Sequence, residues 1–310
     1  MRGGPNYFLV GHPRSGSGQL FTWLDRHPQV FSTKKELHYF GSDLRYFDPP
    51  RSLDNYLSYF KGAGRFTRAG DASTWTLFSE RAAAEIRAFN PDARIMMLLR
   101  NPVDQLHSLH SHFVFRGDED IADFRAALDA EDGRVKGVVS EPQWRVPRDC
   151  LRYSRMARFA PQVQRFIDHF GQDAVLVMLS EDFRADPRAT FDKVCDHLGI
   201  DRRFDGYEAL FETSPRKANS NRAAKSRRVR SFLAHPRNYR VLEGVDRGLP
   251  GHQLALRTLR WWNKDFVPRE KMSPELRREL QDRFRPFIEE TAALIGRDLT
   301  HWHTPRSNDG

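Results

Sequence analysis

Cysteine is almost missing from this chain: Cys150 and Cys195 are the only two in 310 residues. They form no CxxC pair and no metal-type spacing, which excludes a disulfide scaffold and a cysteine-based zinc site and fits two buried, reduced thiols. Long apolar runs are lacking as well. Ile95–Leu99 is the longest of note, far short of the ~20 residues of a membrane-spanning helix. The first apolar strand begins within about the first seven residues, leaving no room for a signal segment, so a cytoplasmic protein is expected. No internal repeat is visible. What the chain does have is charge (29% Asp, Glu, Lys and Arg) and aromatic residues (12%), which exclude a disordered chain. The net charge of +9 favours anionic ligands without separating nucleotide, acidic glycan, nucleic acid and lipid headgroup.

Strand-like runs occur at Tyr7–Val10, Gln29–Ser32, Arg94–Leu99 and Ala174–Leu179. Helical patterns lie between or beyond them at Leu20–Arg26, Ser79–Phe89, Val103–Val114 and Tyr153–Phe170. This alternation predicts an α/β fold with a mainly parallel sheet covered on both faces and a ligand at the carboxyl ends of the strands. A single domain spanning 1–310 is expected, with a cofactor-binding core over about 5–200, a helical and basic part over about 201–300, and a flexible tail at 303–310. Gly117–Pro147 reads as a helix plus a loop at the mouth of the site. Helices are expected at Leu254–Trp262 and Ser273–Ile295, the latter bent or broken at Pro286. Trp261 and Trp262 suit either a core or an interface.

Two strand-to-helix turns carry the functional argument. The first, Val10-Gly11-His12-Pro13-Arg14-Ser15-Gly16-Ser17-Gly18, leads into the amphipathic Leu20, Phe21, Leu24 pattern. Such a turn aims backbone N–H groups and a helix dipole at a phosphate. Gly11 and Gly16 have Walker spacing, but Ser17 stands where the Walker lysine belongs and the positive charge sits inside the loop, at Arg14. That disfavours metal-assisted nucleotide hydrolysis. The second turn places Arg100 at the end of a buried-type strand. Asn101 suits the cap, Pro102 the first helical position and Asp104 the helix dipole; Ser108 follows two turns on. An arginine at a buried strand end needs an anion, which a protein carboxylate or a ligand phosphate can supply. Together the turns suggest a ligand with phosphate at both ends.

The Pro13-Arg14-Ser15-Gly16-Ser17 loop after a strand, His27-Pro28 further on, and Arg100-Asn101-Pro102 with Ser108 resemble sulfotransferases that use 3′-phosphoadenosine-5′-phosphosulfate. The resemblance covers about residues 6–115 and 150–200 and is thin elsewhere. It implies that Arg14, Ser15, Gly16, Ser17, Gly18 and Gln19 bind the 5′-phosphosulfate end, with Arg14 neutralising the leaving oxygens. Arg100 and Ser108 would grip the 3′-phosphate. Ser17 matches the first of two hydroxyl residues in the family loop, and Gly18 departs from the second. No metal is implied, and the product is adenosine 3′,5′-bisphosphate.

Lys35-Glu36-Leu37-His38-Tyr39-Phe40 is similar to the Glu-x-x-Phe-Phe element of heparan-type and bacterial glycan sulfotransferases. By that likeness Glu36 is the base that takes the acceptor's proton. His38 is the rival base, and alternation puts both on one face if the segment is extended. A surface pair with Lys34 or Lys35 is the plain alternative for Glu36. His112, one helical turn beyond Ser108, matches a histidine near the transferring group. Asp71, Ser73 and Thr74 fall where relatives line the acceptor pocket. Glu181-Asp182-Phe183 matches a family element read here as a structural buttress. Relatives close a basic loop over the cofactor; Asn219–Arg230 is the candidate, with Arg222 or Lys225 nearest the phosphates.

The resulting expectation is a bacterial-type sulfotransferase acting on a hydroxyl of a sugar or small molecule, with no nucleic-acid partner and no membrane span. The oligomeric state is left open. Two other readings remain at this point: a small-molecule kinase with a phosphate loop, or a non-catalytic RNA-binding protein using the basic 216–230 segment. The missing Walker lysine speaks against the first. The two-ended phosphate layout and the scarcity of aromatics in the basic run speak against the second.

Overall fold

A computed structural model describes residues 3–44, 51–138, 148–212, 220–235, 238, 241–242, 251–268 and 270–303. The chain divides into two compact units: 1–105, 154–214 and 277–310 form the first, and 106–153 with 215–276 the second.

The first unit is built on a five-stranded parallel sheet: β1 (Tyr7–Gly11), β2 (Val30–Ser32), β3 (Arg68–Asp71), β4 (Arg94–Leu99) and β5 (Val175–Leu179), in the order β2-β3-β1-β4-β5. β1 is buried throughout, as is β4 beyond Arg94, which is why both read as continuous apolar runs. On one face, Leu9, Met96, Leu98 and Met178 pack with Trp23, Phe183, Phe191 and Leu198. On the other, Phe8 meets Phe40, whose ring lies 5.5 Å from that of Phe89. The chain lays β2 and β3 on one side of β1 and then crosses to β4 on the other. The crevice outside the carboxyl ends of β1 and β4 is therefore the topological switch point, where open α/β sheets bind ligands.

β3 was not legible as a strand. Arg68-Ala69-Gly70-Asp71 has two charges and a glycine, and its pairing with β1 and β2 holds it in the sheet. Gly70 is required there: a Cβ would fall 1.9 Å from Cζ of Tyr7. The Tyr153–Phe170 pattern resolves into two helices, Tyr153–Met156 and Phe159–Phe170. Pro161 has no N–H for the Ala157 carbonyl and its ring would clash there, so the helix must start afresh. The Pro274–Ile295 helix, by contrast, runs through Pro286 without a break. The Pro187–Leu198 helix has its start and stop signals in place, with Asp186 accepting from the Ala189 N–H and Gly199 left-handed at its end.

In the second unit, Gly117–Pro147 contains two short helices, Phe124–Asp129 and Glu131–Val135; residues 139–147 lie outside the described residues. The basic segment expected as a loop is instead ordered secondary structure. β6 (Ser220–Ala224) pairs antiparallel with β7 (Lys264–Pro268), and a helix follows at Arg227–Ala234. Its apolar Val229 and Leu233, one helical turn apart, pack with Leu256 and Leu259 of the His252–Trp262 helix and serve a small core. Residues 216–219 of that segment lie outside the described residues. Trp261 and Trp262 are exposed, not core. Among the described residues no helix is long and apolar enough to cross a membrane.

Candidate active site

The turn after β1 is held from behind by side chains of three other elements. Gln105 Nε2 donates to the Pro13 carbonyl (3.1 Å), an Arg100 guanidinium nitrogen to the Arg14 carbonyl (2.9 Å) and the Ser180 hydroxyl to the Ser15 carbonyl. His12 is buried and pairs through Nε2 with Gln162 Oε1 at 2.7 Å. Burial, the largest influence, outweighs that bond and lowers His12 to about 4, so the ring is neutral at pH 7. With consecutive carbonyls fixed in this way, the loop shape is set before any ligand arrives.

Gly16 caps the Ser17–Asp25 helix at φ 108°, and a Cβ there would meet Leu98 at 3.1 Å. The helix has no side-chain cap and no acidic residue in its first turn. Its first N–H groups have no carbonyl within the helix, and the positive end of its dipole carries no compensating charge. Arg14 is exposed beside them, whereas Ser15 and Ser17 are buried and Gly18 and Gln19 exposed. This is the chemistry of a phosphate cradle, and the residues present fit one.

Arg100 ends β4 next to the loop, because Leu98 pairs in register with Gly11. One of its guanidinium nitrogens donates to the loop backbone. Asn101 Oδ1 accepts from the Val103 N–H at 3.0 Å, and Pro102 opens the Pro102–Arg116 helix as its sequence indicated. Asp104 does more than complement the dipole: it forms an ion pair with Arg277 at 2.9 Å, a long-range partner with no local signature. Further along the same helix, in the second unit, Ser108 is buried and His112 half-buried.

The segment after β2 is not an extended strand. Glu36 and His38 both adopt left-handed backbone, at φ 64° and 49°. That turn still brings them together, with His38 Nε2 3.3 Å from a Glu36 carboxylate oxygen. The Thr74 N–H donates to Glu36 at 2.9 Å and the Thr74 hydroxyl at 3.1 Å, while Lys35 forms an ion pair with it. Burial is the strongest single influence and raises the Glu36 carboxyl. The Lys35 and His38 charges and the hydrogen bonds from Lys35 and Thr74 together outweigh it, leaving the carboxyl below its ordinary range. Glu36 is thus ionised, oriented and one-third exposed, with 34% of its side chain accessible.

Asp71 and Ser73 are buried behind this carboxylate. Ser73 donates to Asp71 at 2.6 Å and accepts from the His38 N–H at 3.0 Å; Tyr56 donates to the other Asp71 oxygen at 2.7 Å. Burial raises the Asp71 carboxyl against the two hydroxyl bonds that lower it. Sequence reasoning missed Gln105, Ser180, Gln162 and Tyr56, which position the loop and the base segment. No local pattern marks them, since each acts across 15 residues or more. Glu181 and Asp182 hold the chain's last helical segments: Glu181 accepts from His301 and Trp302, and Asp182 pairs with Arg297 at 2.9 Å. In the second unit, Arg222 lies on β6 opposite Phe266, and the exposed Lys225 has its ammonium 6.0 Å from the Trp262 ring centroid.

The parallel sheet and the glycine-capped turn at the carboxyl end of β1 define an open α/β fold with an anion cradle. The model of the sulfotransferase domain matches residues 5–231, and the chain belongs to that family. A crystal structure of a sulfotransferase from Alicyclobacillus acidocaldarius is similar over 97% of this chain and 99% of that one, with a TM-score of 0.68 and 26% identity. Among curated proteins, the mouse bifunctional heparan sulfate N-deacetylase/N-sulfotransferase 4 is 23% identical over 218 residues, covering 66% of this chain and 23% of that protein. Human carbohydrate sulfotransferase 15 is 23% identical over 262 residues, covering 68% of this chain and 46% of that protein. The chain therefore spans less than half the length of either curated relative.

Proposed function

We propose that this chain transfers a sulfuryl group from 3′-phosphoadenosine-5′-phosphosulfate to a hydroxyl of a sugar or small-molecule acceptor. One observation carries the reading. Among the described residues, the three non-glycine positions at positive φ are Arg14, Glu36 and His38, the loop cation and the two candidate bases. Left-handed backbone at such residues costs on the order of 1 kcal/mol each, and strain of this kind collects where function needs it.

The donor supplies a sulfuryl group on a phosphosulfate linkage, whose cleavage leaves adenosine 3′,5′-bisphosphate. Glu36 takes the proton from the acceptor hydroxyl as its oxygen attacks sulfur from the side opposite the leaving phosphate. Thr74 and the strained turn hold that carboxylate in place, so little orientation is left to be found during reaction. Asp71 and Ser73 act through the backbone, fixing the His38 N–H and hence the turn that carries the base. Arg14 and the N–H groups of Ser15 to Gln19 stabilise the negative charge that grows on the leaving phosphate, usually the largest electrostatic contribution. Arg100 serves the 3′-phosphate, and its bond to the Arg14 carbonyl ties the two phosphate-binding corners.

The test is release of adenosine 3′,5′-bisphosphate from the donor on addition of a panel of sugar and phenolic hydroxyl acceptors, with a chelator present. Acceptor-dependent, chelator-insensitive release is expected. Magnesium-dependent ATP turnover without it would point to a kinase instead.

A further inference from the structure

A cavity of about 190 Å3 opens in the first unit, and none of its lining residues is among those assigned to the donor. Phe78, Glu80, Arg155, Arg158, Gln162 and Arg165 line it. Three guanidinium groups thus face one carboxylate. Glu80 is engaged by Arg155 in an ion pair. Arg165 donates to the Ser79 carbonyl at 2.8 Å within the field of Glu80 and Asp43, and the Arg158 guanidinium rests on the Phe287 ring at 5.4 Å. The other acid nearby, Asp43, accepts from the Ser79 hydroxyl and the Glu80 N–H.

The backbone adds to this positive field. Arg158 is the cap of the 12-residue Phe159–Phe170 helix, which has no side-chain cap bond and no acidic residue in its first turn. Its dipole therefore points its positive end at the same place as the arginines. The buried Gln162 amide forms a rigid floor: it donates to the Arg158 carbonyl at 2.9 Å while its oxygen pairs with His12. A cluster of planar guanidiniums with room for one small group suits an oxyanion, which arginine grips in bidentate fashion.

We propose that this cavity is a second anion site, distinct from the phosphate loop, which takes one carboxylate, sulfate or phosphate-monoester group, either free or carried on an organic molecule. The site does not depend on the sulfuryl-transfer reading.

The experiment titrates inorganic sulfate calorimetrically into the full chain at fixed ionic strength, after adenosine 3′,5′-bisphosphate has been added to saturation. One sulfate per chain is expected to bind, with affinity at least fivefold weaker in Arg158→Ala and intermediate in Arg158→Lys, which keeps the charge but not the bidentate fork. Unchanged melting temperatures establish that both variants fold. No uptake by the loaded chain, or equal uptake by wild type and Arg158→Ala, overturns the proposal. If the bisphosphate itself fails to bind, that counts against the functional reading alone, and the same wild-type and variant comparison is read without it. A second arm uses methyl β-D-glucuronide and methyl β-D-glucoside. Glucuronide binding that exceeds sulfate and falls in Arg158→Ala assigns the site to an organic acid; tighter sulfate binding assigns it to the free oxyanion. Equal binding of the neutral glucoside contradicts charge recognition and overturns the proposal.

Discussion

Glu36 and Glu119 are each held against a cation, and the manner differs in almost every respect. Glu119, in the second unit, has no exposed side-chain surface; nor does Arg134, 2.6 Å away. Its two oxygens also accept from Tyr153 (2.9 Å) and the Ile121 N–H (3.0 Å). Burial pulls the Arg134 guanidinium down, and the Glu119 hydrogen bond and charge more than restore it. Glu36 sits in strained left-handed backbone, one-third exposed, with a lysine paired to it and a histidine 3.3 Å away. A closed pair with both side chains fully buried is suited to holding architecture. An open one, oriented by backbone and reachable from solvent, is suited to exchanging a proton.

If that contrast is right, the two sites respond oppositely to substitution. The largest effect is expected from Arg134→Ala, which strands a buried carboxylate and should lower unfolding free energy by about 3–5 kcal/mol in a denaturant titration. A variant as stable as wild type would break the contrast at its structural end. Next comes Glu36→Gln, which should lower turnover by roughly a hundredfold or more, with bisphosphate affinity and melting temperature nearly unchanged. Retained turnover would remove Glu36 as the base and leave His38.

The smallest effect separates Glu36 from the carboxylate behind it. The Glu36 carboxyl lies below its ordinary value when folded, so its contacts stabilise at higher pH, and that contribution is lost as pH falls through the folded value. Asp71 is raised by burial, so its contribution is present at low pH and lost as pH rises. Denaturation followed from about pH 3 to 7 should therefore show wild type gaining on Glu36→Gln as pH rises, and losing ground to Asp71→Asn. Slopes of the same sign would contradict the two environments.

Much of this was readable in advance where the determinants are local. β1, β4 and β5 announce themselves as apolar runs, and the Asn101-Pro102 start of the central helix is written in its capping residues. The spacing of Gly11, Arg14 and Gly16 marks the cradle, and Arg100 its neighbour on the adjacent strand. What depends on distant partners was hidden. β3 is made a strand by β1 and β2 and not by its own Arg-Ala-Gly-Asp. Strand alternation would put Glu36 and His38 on one face of an extended segment, but the two meet through a left-handed turn that Ser73 and Thr74 stabilise from 35 and 38 residues away. The basic run looked like a loop because its charges mask the few apolar residues that fold it.

The central claim is that one nucleotide is gripped at both phosphate ends, and calorimetric titration with adenosine 3′,5′-bisphosphate and with 5′-AMP tests it most directly. Wild type is predicted to prefer the bisphosphate by at least tenfold, since a charge-assisted contact to the extra phosphate contributes about 1.5–3 kcal/mol, and Arg100→Ala to lose that preference. Equal affinity for the two nucleotides in the wild type, or an undiminished preference in Arg100→Ala, would contradict it.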